Sequence, residues 1–390
     1  MKRHLNPNIA ELSQSAIRAM SIECAKVGGI NLAQGICDTP VPIEVARAVP
    51  LAIANGRNIY SRCEGTDELR HALAVGMRET GVDYDANSEV VVTIGATGAF
   101  QIAATALLEP GDEVVVFEPF YGYHVSTLRT LGLVPRFVAL AANGATGNWI
   151  LDDDALAAAI GPRTRAVIVN TPSNPCGKVF TRDELVRVGN FAEEHDLWIF
   201  TDEVYEHFVY DNHEHVRPAS LPGLRERTIT MSSLSKTLSI TGWRLGWMAA
   251  DERWTRAFAH VNDLVYVCAP TPLQVAAAAG LAVLGPDYRT RLAREHQSKR
   301  DRLCAALRDV GLTPHVPEGA YYILAEATSL PGSTGMARAM HLLGATGLAT
   351  VPGEAFFSGG RGGDLLRLCF GKTDDDLDQA CHRLRQAKLR

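Results

Sequence analysis

Residues 231–247 contain the side chains of this chain that are best suited to covalent chemistry. Ser233 and Ser235 stand beside Lys236, and Arg244 follows eight residues later. A lysine amine that loses its charge can form an imine with an aldehyde, and hydroxyls with a guanidinium can hold a phosphate. The segment therefore predicts a covalent lysine site with a phosphate anchor beside it. An exposed loop with a solvated lysine is the alternative interpretation.

The glycine turn at residues 95–98 is a second candidate anion site. It lies between an apolar run and a helical segment, so it would leave the free N–H groups of a helix start open to a phosphate. The turn could also bind nothing, or it could bind a dinucleotide. Glu118 follows Gly98 by 20 residues at a strand end, where a ribose-binding acid would stand. The complete Gly-x-Gly-x-x-Gly motif is missing.

Asp202 stands at the end of an apolar run and is the third candidate. Burying a carboxylate there without a partner would be costly, so it needs a cation or hydrogen-bond donors. A protonated nitrogen on a bound ligand would supply such a cation. A helix N-cap is the alternative role.

Arg367 is the fourth candidate, because it interrupts the apolar run at 365–370. An arginine inside such a strand is expensive unless its planar fork holds an anion, and a carboxylate fits that fork. The alternative is an edge-strand arginine whose charged tip reaches solvent.

Five short apolar runs alternate with helix-like segments and must position these side chains. The predicted strands lie at 90–94, 113–117, 166–170, 197–201 and 228–231, with helices at 99–108 and 182–195 among the segments between them. This alternation predicts an α/β fold with a mostly parallel sheet covered by helices. The lysine, glycine and aspartate motifs all follow a predicted strand, where such sheets bind ligands.

The C-terminal part has a different pattern. Alanine, leucine and charged residues at helical spacing from 276 to 308 precede two strand candidates, at 320–326 and 365–370, and a polar terminal helix. This pattern predicts a smaller α+β domain. We expect three parts: residues 1–45 as an N-terminal arm and part of the small domain, 46–275 as the large domain, and 276–390 as the small domain.

Composition excludes several classes of protein. A formal net charge of -6 gives no electrostatic support for a nucleic-acid partner. The eight cysteines include no Cys-x-x-Cys pair, which is typical of a reduced compartment and not of a disulfide or zinc framework. No secretory signal or membrane-spanning run is visible. We therefore expect a cytoplasmic protein without a metal site; the polar residues 211–215 are interpreted as a surface turn.

In their order along the chain, these motifs resemble those of the fold-type I pyridoxal 5′-phosphate (PLP) enzymes, specifically the class I and II aminotransferases. The resemblance runs from about residue 30 to residue 370. It implies a Schiff base between Lys236 and PLP, and transfer of an amino group from an amino acid to a 2-oxo acid. The chain departs from many relatives at Gly35-Ile-Cys-Asp38, where they carry Gly-Phe-Pro-Asp.

The resemblance also implies a role for each candidate residue. Lys236, Asp202 and Tyr205 would be catalytic. The cofactor would be held by Ala96, Thr97, Gly98, Ser233 and Arg244 at its phosphate, by Tyr121 at its ring face, by Asp202 at its ring nitrogen, and by Asn174 and Tyr205 at its 3′-oxygen. The substrate would meet Gly35, Asn174 and Arg367, with Arg367 receiving the α-carboxylate.

In relatives, the residue aligned with Tyr60 reaches the phosphate of the neighbouring subunit's cofactor, which implies a homodimer with composite sites. In relatives with a dedicated arginine for dicarboxylates, the partner presents it near the segment aligned with 264–271, and this segment contains no basic residue here. A neutral or aromatic amino donor is therefore favoured. Arg18 or Arg62 could still reach the distal carboxylate of 2-oxoglutarate.

Two other activities stay open at this point. A PLP-dependent C–S lyase would use the same residues to eliminate a β-substituent. Ser233-Leu-Ser-Lys236 also matches the Ser-x-x-Lys pattern of acyl hydrolases, but their Ser-Asp-Asn-like and Lys-Thr-Gly elements do not occur in the sequence.

Overall fold

The computed structural model describes residues 5–10, 14–142 and 148–389. Parts of the predicted N-terminal arm, at 1–4 and 11–13, lie outside the described residues. The helices are α1 (Pro7–Ala10), α2 (Ala16–Lys26), α3 (Ile43–Ala54), α4 (Asp67–Glu79), α5 (Gly95–Leu107), α6 (Gly122–Thr130), α7 (Asp153–Ala158), α8 (Arg182–Glu194), α9 (Leu234–Thr237), α10 (Glu252–Tyr266), α11 (Thr271–Leu281), α12 (Pro286–Asp309), α13 (Gly335–Thr346) and α14 (Asp374–Gln386). The strands are β1 (Ile30–Asn31), β2 (Val90–Ile94), β3 (Glu113–Glu118), β4 (Val134–Ala139), β5 (Ala141–Ala142), β6 (Trp149–Ile150), β7 (Thr164–Asn170), β8 (Trp198–Asp202), β9 (Thr228–Ser233), β10 (Leu245–Ala249), β11 (Thr313–His315), β12 (Tyr322–Glu326), β13 (Leu348–Ala349), β14 (Val351–Pro352) and β15 (Leu365–Cys369).

A seven-stranded sheet in the order β2-β10-β9-β8-β7-β3-β4 forms the centre of the molecule. Strand β10 is antiparallel to both of its neighbours, and the other pairs are parallel. All five strands predicted from the apolar runs belong to this sheet. The predicted α/β fold with a mostly parallel sheet is therefore confirmed.

Alternate side chains of the central strands pack on opposite faces of this sheet. Val114, Val116 and Ile168 belong to one hydrophobic cluster, whereas Val115 and Val167 belong to another. Because both faces are covered, the central strands are apolar at nearly every position, which is why they are visible in the sequence as continuous runs.

Some element boundaries differ from the predicted ones. Helix α5 begins at Gly95 and not at residue 99, because Gly95, with φ 69°, makes the turn alone. Strand β10 is not among the predicted strands. An added Cβ at Gly246 would lie 2.2 Å from the carbonyl carbon of Gly95, so this glycine lets β10 pass directly beside the start of α5.

A second sheet, of four antiparallel strands in the order β11-β12-β15-β14, belongs to the C-terminal part. The helical stretch predicted at 276–308 is two helices: α11 ends at Leu281, and Gly285 and Pro286 begin α12. Strand β1 pairs in parallel with β13, which favours assigning the N-terminal segment to the small domain. The domain boundaries themselves stay a prediction. Among the described helices, none is long and apolar enough to cross a membrane.

Candidate active site

A cavity of about 430 Å³ lies at the carboxyl ends of the parallel strands. It brings together eleven of the side chains and glycines predicted for the site: Gly35, Ala96, Thr97, Tyr121, Asn174, Asp202, Tyr205, Ser233, Lys236, Arg244 and Arg367. Gly98 and Tyr60 do not line it. The remaining walls come mainly from α2, from the segment at 34–36 and from Tyr322.

Lys236 lies on the four-residue helix α9, which is capped by Ser233. Its Nζ donates a hydrogen bond to the carbonyl of Gly35 over 2.9 Å. Burial lowers the pKa of this amine from 10.5 to about 8. A neutral amine is therefore accessible near physiological pH, as a nucleophile or a base requires. The alternative of a solvated lysine on an exposed loop is wrong.

The N-terminus of α5 and Arg244 form an anion site at one end of the cavity. Arg244 has a left-handed backbone, with φ 58°, and its guanidinium donates to Thr241 O over 2.9 Å and to Thr97 Oγ1 over 3.4 Å. A Cβ on Gly95 would lie 2.4 Å from this guanidinium, so the glycine leaves room for it. The helix start, the guanidinium and the nearby hydroxyl of Ser233 suit a phosphate dianion.

Gly98 lies on α5, just behind this anion site. Because Ile94 is the N-cap, the N–H groups without an intrahelical partner are those of residues 94–97, and the N–H of Gly98 is the first that the helix itself satisfies. An added Cβ at Gly98 would lie 3.7 Å from the ring of Tyr266, so this glycine faces α10 and not the cavity. Its predicted contact with a phosphate stays a prediction.

Asp202 is the last residue of β8 and lies in the floor of the cavity. Its Oδ2 is 2.9 Å from Nε2 of His124, and both side chains are buried. A turn follows Asp202 instead of a helix, so the alternative role as an N-cap is wrong. Its Oδ1 accepts the backbone N–H of Val204 over 3.4 Å, and the carboxylate lines the cavity, where a cation could meet it.

His124 was not predicted, although it is central to this site. Its ring packs at 89° against Tyr121, with ring centroids 5.2 Å apart, and it also contacts Phe100. The available signal was its position three residues after Tyr121, which places both residues on the first turn of α6. Without the fold, nothing indicated that this turn faces Asp202.

Tyr205 and Tyr322 form a second pair, with their hydroxyls 2.9 Å apart. Burial raises the pKa of Tyr205 well above its usual value and that of Tyr322 to about 12. Both phenols therefore keep their protons at neutral pH and can donate hydrogen bonds. Tyr322 was not predicted, because it lies on β12, which the chain reaches more than a hundred residues after Tyr205.

Arg367 lies at the other end of the cavity and is fully buried. Its guanidinium donates to Asn174 Oδ1 over 2.9 Å and to Ala33 O over 2.5 Å, and it packs over the ring of Tyr322 at 4.4 Å. Its Nε has no hydrogen-bond partner among the described residues. The predicted alternative, a tip that reaches solvent, is wrong. A buried cation whose Nε has no such partner calls for an anion, and a carboxylate matches its fork.

Glu118 does not reach the cavity. It is fully buried, forms an ion pair with Arg361 and accepts a hydrogen bond from the backbone of Ser358. The alternative of a dinucleotide site with Glu118 as its ribose-binding acid is therefore wrong.

In the predicted surface turn at 211–215, two residues are engaged in ion pairs: Asp211 pairs with Arg300, and His215 lies 2.9 Å from Glu203. In the described parts of the chain, no three His, Cys, Asp or Glu side chains are grouped to hold a metal ion.

Tyr60 is 79% exposed and, with Ile59, belongs to an exposed apolar surface. The hydroxyl of Thr271 donates to the carbonyl of Ile59 over 2.7 Å, which joins the loop of Tyr60 to the start of α11. Leu264 and Val265, near the end of α10, are exposed in the same region. Tyr60 does not line the cavity of its own chain.

Known proteins resemble this chain over nearly its full length. The profile of the family described as aminotransferase class I and II matches residues 27–384. The chain is 36% identical over 375 residues to a probable N-succinyldiaminopimelate aminotransferase of Mycobacterium tuberculosis, with 94% of each chain covered. It is 33% identical over 390 residues to kynurenine–oxoglutarate transaminase 1 of Homo sapiens, with 92% of each covered.

Solved structures agree with these relatives. The structure of N-succinyldiaminopimelate aminotransferase from Mycobacterium tuberculosis matches with a TM-score of 0.94 at 34% identity, covering 98% of this chain and 99% of that one. An Escherichia coli protein with a methionine aminotransferase function matches with a TM-score of 0.93 at 30% identity, covering 99% and 100%. These similarities favour transamination over the lyase and hydrolase alternatives. As its motifs predicted, the chain belongs to the class I and II aminotransferases, the fold-type I PLP-dependent transaminases.

Proposed function

We propose that this chain is a cytoplasmic homodimeric transaminase that binds PLP through Lys236 and moves an amino group between a neutral or aromatic L-amino acid and a 2-oxo acid. The observation that carries this proposal is the presence of Lys236 and Arg367 in one cavity. The first is an amine whose pKa burial lowers to about 8, and the second is a buried guanidinium with a free donor. Together they suit a substrate that has both an amino group and a carboxylate.

The residues of the cavity fit PLP in charge and in shape. The phosphate would be held at the start of α5, by Thr97, Ser233 and Arg244. The ring would lie against Tyr121, with Asp202 at its nitrogen, and with Asn174 and Tyr205 at its 3′-oxygen. When bound, PLP supplies an electron-accepting ring that stabilises negative charge on the substrate's α-carbon.

The buried carboxylate of Asp202 favours a proton on the ring nitrogen, since that proton gives it a charge partner. His124 fixes the orientation of this carboxylate by its contact with Oδ2 over 2.9 Å. On the opposite side, Tyr205 donates a hydrogen bond, because its raised pKa keeps the phenol protonated. Asp202 would therefore keep the ring nitrogen protonated, and Tyr205 would stabilise the oxygen on the other side of the ring by a hydrogen bond.

Arg367 would bind the substrate's α-carboxylate and so orient its Cα–H bond toward Lys236. Once its amine is free, Lys236 is the base that moves the α-proton, since a pKa of about 8 suits proton transfer near neutral pH. The side chain of the substrate would meet Ile17, Ile36 and Tyr123, which also line the cavity. These residues support a neutral or aromatic donor.

The test is the visible absorption of the purified protein and its Lys236→Ala variant. We expect wild type to carry an absorption band of lysine-bound PLP and to lose it on addition of a suitable amino acid. Lys236→Ala should lack the band and lose at least about 10³-fold in turnover, because it loses both covalent attachment and the base. Lys26→Ala, at an exposed lysine, is the control and should behave as wild type. A colourless wild type that cannot be loaded with PLP would overturn the proposal.

The exposed apolar surface around Tyr60 supports the homodimer, because monomers rarely expose such patches without a partner. In an isologous dimer, Tyr60 of one subunit would complete the phosphate site of the other. Mixed dimers test this arrangement. When Tyr60→Ala and Lys236→Ala subunits exchange, one site per mixed dimer holds both intact residues, so activity should recover toward half of wild type. Confirmed exchange without recovery would mean that Tyr60 acts within its own chain.

A further inference from the structure

The proposed function leaves one cation of the cavity without a role. Lys236, Arg244 and Arg367 are assigned to the cofactor and to the α-carboxylate, whereas Arg18 also lines the cavity. Among the described residues that line the cavity, Asp202 is the one with a carboxylate. Arg18 is therefore a cation of the cavity to which the proposed function assigns no anion.

Helix α2 presents Arg18 on a fixed face. Met20 and Cys24 are buried in the core, while Ile17, Arg18 and Ser21 line the cavity. Ile17, Met20, Ser21 and Cys24 follow the spacing of one helix face, so Ile17 and Ser21 lie at the edge of the buried side, whereas Arg18 is turned roughly 120° to 160° away from Met20 and Cys24. The rotation of α2 is thus set by its buried residues and not by the charge of Arg18.

A chain of hydrogen bonds joins this face to the carboxylate end of the cavity. Asn31 donates to Ser21 Oγ over 3.0 Å and accepts from the backbone of Ala33 over 3.0 Å, and the carbonyl of Ala33 accepts from Arg367. Ser21 lies one helical turn from Arg18. Arg18 is therefore on the rim of the cavity, on the wall that leads down to Arg367.

The guanidinium of Arg18 forms no ion pair with any described residue. The other basic side chain of α2, Lys26, pairs with Glu23 over 2.7 Å. No acidic residue stands three or four positions from Arg18 in the sequence, where a helix would bring a partner. The side chain is exposed, so it can turn toward a bound anion or away into solvent.

We infer that Arg18 binds the distal carboxylate of a dicarboxylic 2-oxo acid, the amino acceptor, while Arg367 binds its α-carboxylate. The inference rests on the proposed function and names the acceptor class of the same site. A short dicarboxylate carries an anion at each end, which matches one buried and one rim arginine. A neutral donor lacks the second anion, so Arg18 then stays in solvent and the apolar wall of Ile17 receives the side chain.

The test compares two acceptors that differ only in the distal group, 2-oxoglutarate and 2-oxopentanoate, in half-reactions with the pyridoxamine 5′-phosphate form of the enzyme. Arg18→Gln should lower kcat/KM for 2-oxoglutarate about tenfold and leave 2-oxopentanoate within about twofold, since an exposed charge pair contributes modestly. Arg18→Lys should keep most of the preference. Lys26→Gln removes a charge from the same helix outside the cavity and should change neither acceptor.

Binding of unreactive analogues gives a second readout. By calorimetry on the PLP form, glutarate should bind about tenfold more weakly to Arg18→Gln than to wild type, and butyrate should bind equally. Three outcomes would each overturn the inference. Arg18→Gln could lower kcat/KM equally for both acceptors, wild type could show no preference for 2-oxoglutarate, or the loss of that preference could occur in Arg62→Gln in place of Arg18→Gln. A wild type that reacts with no 2-oxo acid would instead overturn the proposed function.

Discussion

The two ends of the cavity each present an arginine, but the two arginines are held in different ways. Arg367 is fully buried in the middle of β15, which pairs with β12 on one side and β14 on the other. Arg244 is exposed, has a left-handed backbone and lies just outside a strand. The Arg367 guanidinium is desolvated, whereas the Arg244 guanidinium is exposed to solvent.

This difference matches the two anions that we assign to them. A phosphate that stays bound through many turnovers can be held by several modest donors, since the start of α5 and the hydroxyls share its charge. A substrate carboxylate binds and dissociates in every cycle, so its affinity has to come from a preorganised group. The buried guanidinium of Arg367 is such a group, because binding requires little further desolvation or ordering of its side chain. The comparison predicts that damage at the Arg367 end affects the reaction, whereas damage at the Arg244 end affects cofactor retention.

Arg367→Ala should produce the largest effect. Removing one partner of a desolvated charge pair costs about 2 to 5 kcal/mol, or roughly 30- to 5,000-fold in kcat/KM for the amino acid. The PLP content of the purified variant should match wild type. Arg367→Lys should recover little, because an ammonium cannot reproduce the planar fork. Loss of PLP from Arg367→Ala would show that the two ends are not independent.

Asp202→Asn tests whether the residue in the floor of the cavity affects the reaction, as Arg367 does, and not cofactor retention. The variant keeps the hydrogen-bonding shape but loses the charge that favours a protonated ring nitrogen, so turnover should fall about 10²- to 10³-fold. Single-turnover spectra should locate the loss in α-proton removal. A His124→Ala variant should show a smaller loss in the same step, since it affects only the orientation of Asp202. Wild-type turnover in Asp202→Asn would reduce this carboxylate to a structural role.

The sequence predicted the buried parts of this architecture better than the irregular ones. The central strands have apolar residues on both faces, so they were visible as runs, and the motifs that follow them fell at one edge of one sheet as expected. Strand β10 was missed because its glycine and its neighbouring arginine are typical of turns. What makes it a strand is the close passage of Gly246 beside α5, a tertiary contact without a local signal.

The candidate site shows the same division. Asp202 and Arg367 each break a local rule, as charged groups in apolar runs, and Lys236 stands among hydroxyls with an arginine eight residues later, so all three could be found from the sequence. His124 and Tyr322 break none: a histidine on a short helix and a tyrosine on a strand are ordinary residues. Their roles arise from contacts with Asp202 and Tyr205, which are 78 and 117 residues away in sequence. Such contacts follow from the fold and not from the local pattern.

Arg244→Ala should weaken PLP binding by about tenfold and leave the fully loaded enzyme close to wild type. The guanidinium is exposed, so its contribution is screened by solvent, and the start of α5 still offers its N–H groups to the phosphate. Equilibrium dialysis against PLP measures the first quantity, and kcat/KM at saturating PLP measures the second. Arg163→Ala, at an arginine away from the cavity, should change neither quantity. A loss of kcat/KM at saturating PLP as large as that of Arg367→Ala would remove the contrast between the two ends.

The smallest expected effect concerns Lys236, which lies between the two ends. Burial lowers its pKa from 10.5 to about 8, and Arg244 acts in the same direction, while Cys369, Cys37 and Asp202 oppose it. In the cofactor-free protein, the neutral fraction of an amine with this pKa is about one in eleven at pH 7 and about one half at pH 8. The rate of PLP capture, followed at its visible band, should therefore rise about fivefold from pH 7 to pH 8 and level off by pH 9.

The same pKa predicts how stability changes with pH in the cofactor-free protein. Between about pH 8 and pH 10.5, the unfolded chain keeps the proton on Lys236 and the folded chain does not, so the free energy of unfolding should rise with pH in this window. Lys236→Met should remove that rise, which thermal unfolding at several pH values would measure. If capture instead rises tenfold for every pH unit up to pH 10, the amine has the pKa of an ordinary solvated lysine. Burial in the cavity would then not lower the pKa of Lys236. The difference between the buried and the exposed end of the cavity would have no effect on the reactivity of this amine.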